Sequence, residues 1–359
     1  MTETQPSADM LPEEREDVEL AAGSVGRPAS AQAASGGLAL REEPAAVGLP
    51  DLTLSYEAGV ELQARSQWAY VRMRFLRHRL AVASLIVLIL IAFVGIFAPQ
   101  VAPYGFDELD LDNTTQSPTL EGGHIFGTDQ LGRDYLSRVI FGIRTSLWVA
   151  VFVALLATAI GTAIGAIAGY FGGQTDNLLM RFTDLILTLP GLAVLLTAAV
   201  YFGSDDSAVL GVRIPQPMKI GLILAFLFWT AVARIVRGLF LSLREKEFVE
   251  AAKAAGASDL RIIMRHMLPN CMGPIIVYAT LLTATAILIE AALSFIGYGI
   301  QPPNAALGKL IAEGQGEGFN LWWLVTFPGL VIVIVALAIN FVGDGLRDAL
   351  DPTQRRVRA

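Results

Sequence analysis

Charge is scarce in this chain, and so are the residues that usually carry metal or redox chemistry. Only 16% of the 359 residues are Asp, Glu, Lys or Arg, against roughly 25% in soluble globular domains. The single cysteine, Cys271, excludes a disulfide within the chain. His78, His124 and His266 lie far apart, and no HxxxH or CxxC spacing occurs, so no metal centre is expected. The phosphate-cradling pattern GxxxxGK[ST] is missing, because Gly308-Lys309 is followed by Leu310. ATP is therefore not expected to bind here by that route. The net charge of −7 leaves no basic footprint for nucleic acid. The start, MTETQPSADM, is acidic and carries no apolar run, so it does not read as a signal peptide.

Apolar residues are what the chain does have. They make up 54% of it, mean hydropathy is +0.55, and they fall into long runs almost free of charge. That pattern is expected of a multi-spanning membrane protein. Residues 1–64 stand apart: 12 Asp/Glu and 3 Arg give them a charge of −9, and Ala, Gly, Pro and Ser fill much of the rest. Such a segment buries too little apolar surface to offset its ordering entropy, and reads as a disordered acidic extension.

A membrane-crossing helix needs ~20 mainly apolar residues. Six candidates follow: Leu80–Val101, Ser146–Phe171, Leu185–Gly203, Ile220–Ala233, Gly273–Tyr298 and Leu321–Val342. The second carries Gly161, Gly165 and Gly169 on one helical face, where another helix can approach closely. Pro190-Gly191 is expected to kink or unwind the third. The fourth is bracketed by Lys219 and Arg234 and would be short unless both side chains snorkel. Trp322 and Trp323 open the sixth as an interfacial anchor. Six crossings put both termini on one side. That side would carry 17 Lys/Arg and the opposite side 6, so both ends are expected in the cytoplasm. The chain divides into the extension, a first span with its outer loop at 65–140, and the remaining transmembrane body at 141–359.

The segment 244–270, REKEFVEAAKAAGASDLRIIMRHMLPN, would then face the cytoplasm. Phe248, Ala251, Ala252 and Ala255 make one apolar stripe at helical spacing. Gly256 can end that helix in the left-handed conformation. Ser258 is a good cap for a second helix, whose stripe is Leu260, Ile263, Met264 and Met267, and which Pro269 would stop. Two short amphipathic helices around a glycine turn are expected to project from the membrane.

These residues carry a resemblance. Glu250-Ala251-Ala252, then Gly256, then Leu268-Pro269 resembles the EAA loop of ABC importer permeases, with His266 where that family has Ile. HIFGTDQLGRDYLSR (124–138), EAALSFIGYG (290–299) with Gln301-Pro302-Pro303, and NFVGDGLRDALDP (340–352) resemble stretches of the C-type permease subunits of dipeptide, oligopeptide and nickel importers. Leu307-Gly308 stands where that family has Trp-Gly. The likeness runs from about Trp68 to Arg355 and leaves out the acidic extension.

The resemblance implies an all-α membrane fold of the type I importer permease kind, with no covalent chemistry of its own. It implies that Glu250, Ala251, Ala252, Gly256, Leu268 and Pro269 couple to ATPase subunits. The implied partners are a B-type permease, two ABC ATPases holding ATP and magnesium, an extracytoplasmic substrate-binding protein and membrane lipid. Di- and oligopeptides are the implied cargo, with nickel or another small solute as the alternative. A secondary transporter is the rival class, but it would expect several charges within the spans. Only Glu290 lies well inside one. Glu290 reads either as a group on the translocation path or partner seam, or as a structural carboxylate capped by its neighbours. Asn340, also within a span, reads as a path or helix-pairing residue.

Overall fold

A computed structural model describes residues 67–120, 123–202, 213–302 and 304–350. The acidic extension, expected to be disordered, lies outside the described residues, as does the chain beyond Leu350. Among the described residues all the named elements are helical, joined by loops.

A short helix, α1 (Gln67–Arg77), leads into α2 (Arg79–Ile96) through His78, whose Nδ1 accepts the Ala81 N–H at 3.1 Å and caps the new helix. A single turn, α3 (Ala98–Val101), ends the first span. The outer loop then folds on itself and feeds α4 (Tyr135–Phe171), whose N-terminus is capped by Asp134 accepting from the Ser137 N–H at 2.7 Å. The span expected to begin at Ser146 thus starts at Tyr135, as part of this 37-residue helix. No proline or glycine interrupts the chain between Tyr135 and Phe141, so nothing local stops the helix from running on.

The third span is broken. α5 (Gly173–Thr188) and α6 (Gly191–Phe202) meet at Pro190 with a bend of 80°. Proline lacks the N–H that would continue the ladder and pushes the preceding Leu189 out of the helical region, which here has φ −68° and ψ 136°. The fourth span corrects the sequence expectation most. It is no short segment but α7 (Gln216–Arg244), 29 residues long, with Lys219 1% exposed rather than reaching out. After α8 (Glu247–Ala254) and the turn α9 (Asp259–Arg261), the backbone runs through a π-helical turn, Ile262–Met267, straight into α10 (Leu268–Phe295). α11 (Leu307–Gln315) packs across the outer end, and α12 (Trp323–Leu350) closes the bundle. Among the described residues, five helices are long and apolar enough to cross a membrane, and six crossings result if the bent pair is one span.

The glycine face seats α4 on α7. A Cβ added at Gly161 would stand 2.5 Å from Val232 Cβ, one at Gly165 2.4 Å from Ala233 O, and one at Gly169 2.6 Å from Phe240 Cβ. Only hydrogen fits there, and the two backbones approach accordingly. The outer loop is pinned by charge. Arg138, 4% exposed, donates to Asp129 at 2.6 Å and to Glu313 of α11 at 2.9 Å. His124 Nδ1 lies 2.9 Å from Asp134. Asp110 sits at the rim, its carboxylate held below the usual range first by the side-chain hydrogen bond from Asn113. Trp323 is buried and donates from Nε1 to the Thr128 carbonyl at 3.2 Å, so it belongs to this packing; Trp322 is half exposed.

Candidate functional site: the α8 lever and its moorings

At the end of the bundle opposite the outer loop, α8 is held away from the span ends by a backbone device. Its C-terminus closes in two hydrogen bonds: the Gly256 N–H donates to the Lys253 carbonyl at 2.9 Å, and the Ala257 N–H to the Ala252 carbonyl at 3.0 Å. This is the Schellman arrangement, which requires a left-handed residue as the first of the two donors. Gly256 supplies it with φ +76°. Ala252 and Ala257, the two residues that the motif brings together, both pack against the core.

The helix therefore has two unlike faces. Val249 is fully buried and Ala252 partly so. Phe248, Glu250, Ala251 and Ala255 face outward, as do Leu260 and Met264 beyond the turn. The stripes seen in the sequence are thus split. Ala252 turns inward from the first, and Ile263 and Met267 from the second, while the remaining members stay uncovered. An apolar surface flanked by carboxylates and left open beside a membrane bundle suits a protein partner better than water.

Two expectations change in detail. Ser258 has the extended backbone of a cap (φ −67°, ψ 151°), but its side chain makes no capping bond; Asp259 instead accepts from the Tyr170 hydroxyl at 2.6 Å. Pro269 does not stop a helix. It lies at the start of α10, directly after the π-helical turn, where the helical ladder already changes register. Leu268 and Pro269 form the joint between lever and span, not the end of a free-standing helix.

The moorings were not singled out in the sequence. Tyr170, at the end of α4, reaches Asp259, and Lys253 Nζ lies 5.5 Å from the Tyr170 ring centroid. The Arg244 guanidinium donates to the Tyr170 carbonyl at 3.4 Å. Phe240, Val249, Ile262 and Met267 fill the space beneath the lever with no exposed surface. Between α5 and α7 run two further ion pairs: Arg237 donates to both carboxylate oxygens of Asp176 from Nε and Nη2, and Arg234 meets Asp184 at 2.5 Å. The signal available was Arg234 and Arg237, three residues apart on one helical face, but their acidic partners come from a helix some fifty residues earlier.

Glu290 is 0% exposed and enclosed by its own chain. Ser146 donates to Oε2 at 2.9 Å and Ser294 to Oε1 at 2.7 Å. The two hydroxyls in turn accept the Leu307 N–H at 3.4 Å and the Ile300 N–H at 3.1 Å. Asn340 is half-buried on α12. Neither lies near the lever: Glu290 stands by the outer loops, and Asn340 is ten residues before the end of α12.

Comparison with known proteins follows the same lines. Residues 161–356 match the family described as binding-protein-dependent transport system inner membrane component, and residues 66–118 match the N-terminal TM domain of oligopeptide transport permease C. The oligopeptide transport system permease protein OppC of Escherichia coli K12 is 41% identical over 84% of this chain and 96% of its own length. The protein of the same name from Mycobacterium tuberculosis H37Rv is 42% identical over 82% of this chain and 97% of its own. A chain of the MetNI methionine ABC transporter, inward facing, aligns over 60% of this chain and 96% of its own at 17% identity and a TM-score of 0.46. With a matched region spanning both the glycine face and the α8 lever, and relatives alike over nearly their whole length, the chain belongs to the family of binding-protein-dependent transport system inner membrane components.

Proposed function

We propose that this chain is the transmembrane permease subunit of an ATP-driven importer of di- and oligopeptides. It would work beside a B-type permease and two ABC ATPase subunits, with an extracytoplasmic binding protein delivering the peptide. ATP and magnesium belong to the ATPase subunits. The names carried by its relatives support the cargo. The distribution of Lys and Arg supports the orientation, with α8 and both termini in the cytoplasm.

The observation that carries this reading is the open face of α8 on a moored lever. Phe248, Glu250 and Ala251 are uncovered, while Val249, Ile262 and Met267 lock the same element to α7, α10 and the end of α4. A partner pushing on the open face moves the spans, because the π turn passes displacement directly into α10. Nucleotide shifts the transporter between inward- and outward-facing states only if it binds one of them better, and the lever is the link that reports the difference. Leu268 and Pro269 transmit, and Gly161, Gly165 and Gly169 keep α4 and α7 moving as one body. The closed ring of hydroxyls around Glu290 supports an architectural part for that carboxylate. Asn340 offers a polar side chain to a neighbouring helix.

The test is Glu250→Lys and Gly256→Pro in the assembled importer, with ATP hydrolysis and peptide uptake measured together. Uptake should fall while the ATPase subunits still turn over. Wild-type uptake in both variants overturns the coupling role.

A further inference from the structure

The ion pair Arg234–Asp184 stands where an exposed charge is hardest to explain. Lys219 and Arg234 are fifteen residues apart on one uninterrupted helix. At ~1.5 Å per residue that is roughly 22 Å, less than the ~30 Å hydrocarbon thickness, and any tilt shortens it further. α7 is 29 residues long, roughly 42 Å, so a crossing of ~30 Å within it leaves at most ~12 Å outside. Arg234, ten residues or about 15 Å from Arg244, therefore lies inside the hydrocarbon boundary. Lys219 is shielded by the chain, with 1% exposed. Arg234 and Asp184 are not: their side chains are 53% and 57% exposed. Charged side chains in spans face a bundle interior or a water-filled cavity, not lipid.

A second observation points to the same face. One turn further along α7 and α5, Thr230 and Leu187 line a concavity of about 400 Å³ that opens at the 80° break, with Gly191, Leu227, Phe228 and Ile289 in its walls. Backbone freed from a helix at membrane depth is tolerated only inside protein or along a wet cavity. An open ion pair and a broken span thus share one surface, apolar in its hollow and bearing one charge of each sign at its rim.

We propose that this surface is a peptide-contacting wall of the conduit, with Arg234 receiving the peptide's terminal carboxylate, Asp184 its terminal ammonium, and the hollow at Pro190-Gly191 an apolar side chain. This rests on the importer reading above. In the unloaded state the two residues satisfy each other. A zwitterionic peptide replaces that single bond with two charge-assisted ones, so it can enter without stranding either charge. The wall is indifferent to side-chain identity beyond apolarity, because its charged groups address features that every unblocked peptide has.

The experiment uses the complete importer reconstituted in vesicles, with trialanine, its C-terminal amide and its N-acetyl derivative as probes. Uptake is normalised to assembled complex and expressed as a ratio of free to blocked peptide. The binding protein is the same throughout, so its own preference cancels between wild type and variant. Arg234→Gln should lower the free-to-amide ratio, and Asp184→Asn the free-to-acetyl ratio, each roughly tenfold if one charge-assisted bond is lost. In a Cys271→Ala background, Leu192→Cys, at an exposed position lining the hollow, should react with a hydrophilic thiol reagent. Unchanged ratios in both single variants reduce the pair to a structural clasp and overturn the proposal. So does an unreactive Leu192→Cys. Failure of the importer reading looks different: the wild-type complex would then show no peptide-stimulated ATP hydrolysis with any of the three probes.

Discussion

Gly165 offers the sharpest test of how the bundle is held. A methyl group there would meet Ala233 O at 2.4 Å, Val236 Cβ at 2.9 Å and Arg237 N at 3.0 Å. Ordinary heavy-atom contact is ~3.5 Å, so α4 and α7 would have to part by about 1 Å along a seam where both backbones are rigid. Two of the three obstructing atoms are backbone and cannot swing aside. Overpacking of this kind costs about 1–3 kcal/mol. Gly165→Ala should therefore destabilise, although alanine is the better helix former by roughly 0.5–1 kcal/mol. Gly238 on α7 is the control, since a Cβ there meets nothing within 4 Å; Gly238→Ala should be neutral or mildly stabilising. The assay is unfolding of the purified protein by an SDS titration in mixed micelles. If both alanines move the midpoint the same way, close approach of α4 to α7 is not what fixes the seam.

Three further outcomes are expected. At Gly256, where the backbone is left-handed but open space surrounds the Cβ position, Asn should be tolerated best. Ala should cost about 1–2 kcal/mol of local strain, and Pro should abolish coupling by removing the donor to Lys253, a ranking read from uptake per ATP hydrolysed. Glu290→Ala should lower the yield of assembled complex more than Glu290→Gln, by about 1–3 kcal/mol for each hydroxyl left without a partner; equal yields would dismiss the architectural role. Tyr170→Phe removes the hydroxyl donor to Asp259 and should loosen the lever. About 1 kcal/mol is involved, and faster hydrogen exchange across residues 247–259 is the measurement.

Much of this architecture could be read from residue order because its causes are local. The Gly161, Gly165 and Gly169 repeat specifies a close helix contact whatever the partner, and Pro190 breaks a span by its own covalent geometry. Gly256 ends α8 by a motif that spans six residues. What escaped the reading depends on contacts distant in sequence. Lys219 and Arg234 looked like the ends of a short span because a charge in an apolar run normally marks the water boundary. In the fold, Lys219 is buried by the chain, and Arg234 is answered by Asp184 fifty residues earlier, so the helix runs on through both. Trp323 looked like an anchor until the outer loop supplied the Thr128 carbonyl. Pro269 looked like a terminator because the π turn that accommodates it has no simple sequence signal. The α8 segment was legible through its apolar stripes, yet which members face outward depends on how α7 and α10 lie beneath it.

The most direct measurement is cross-linking from the lever in intact inner membranes. Ala251 is exposed and Val249, two residues away, is fully buried. In a Cys271→Ala background, Ala251→Cys carrying a short thiol-to-amine reagent should join a nucleotide-hydrolysing subunit, while Val249→Cys should not. An external impermeant thiol reagent should leave Ala251→Cys unlabelled in whole cells. Labelling from outside, or a purified complex in which neither position captures an ATPase, would contradict the account.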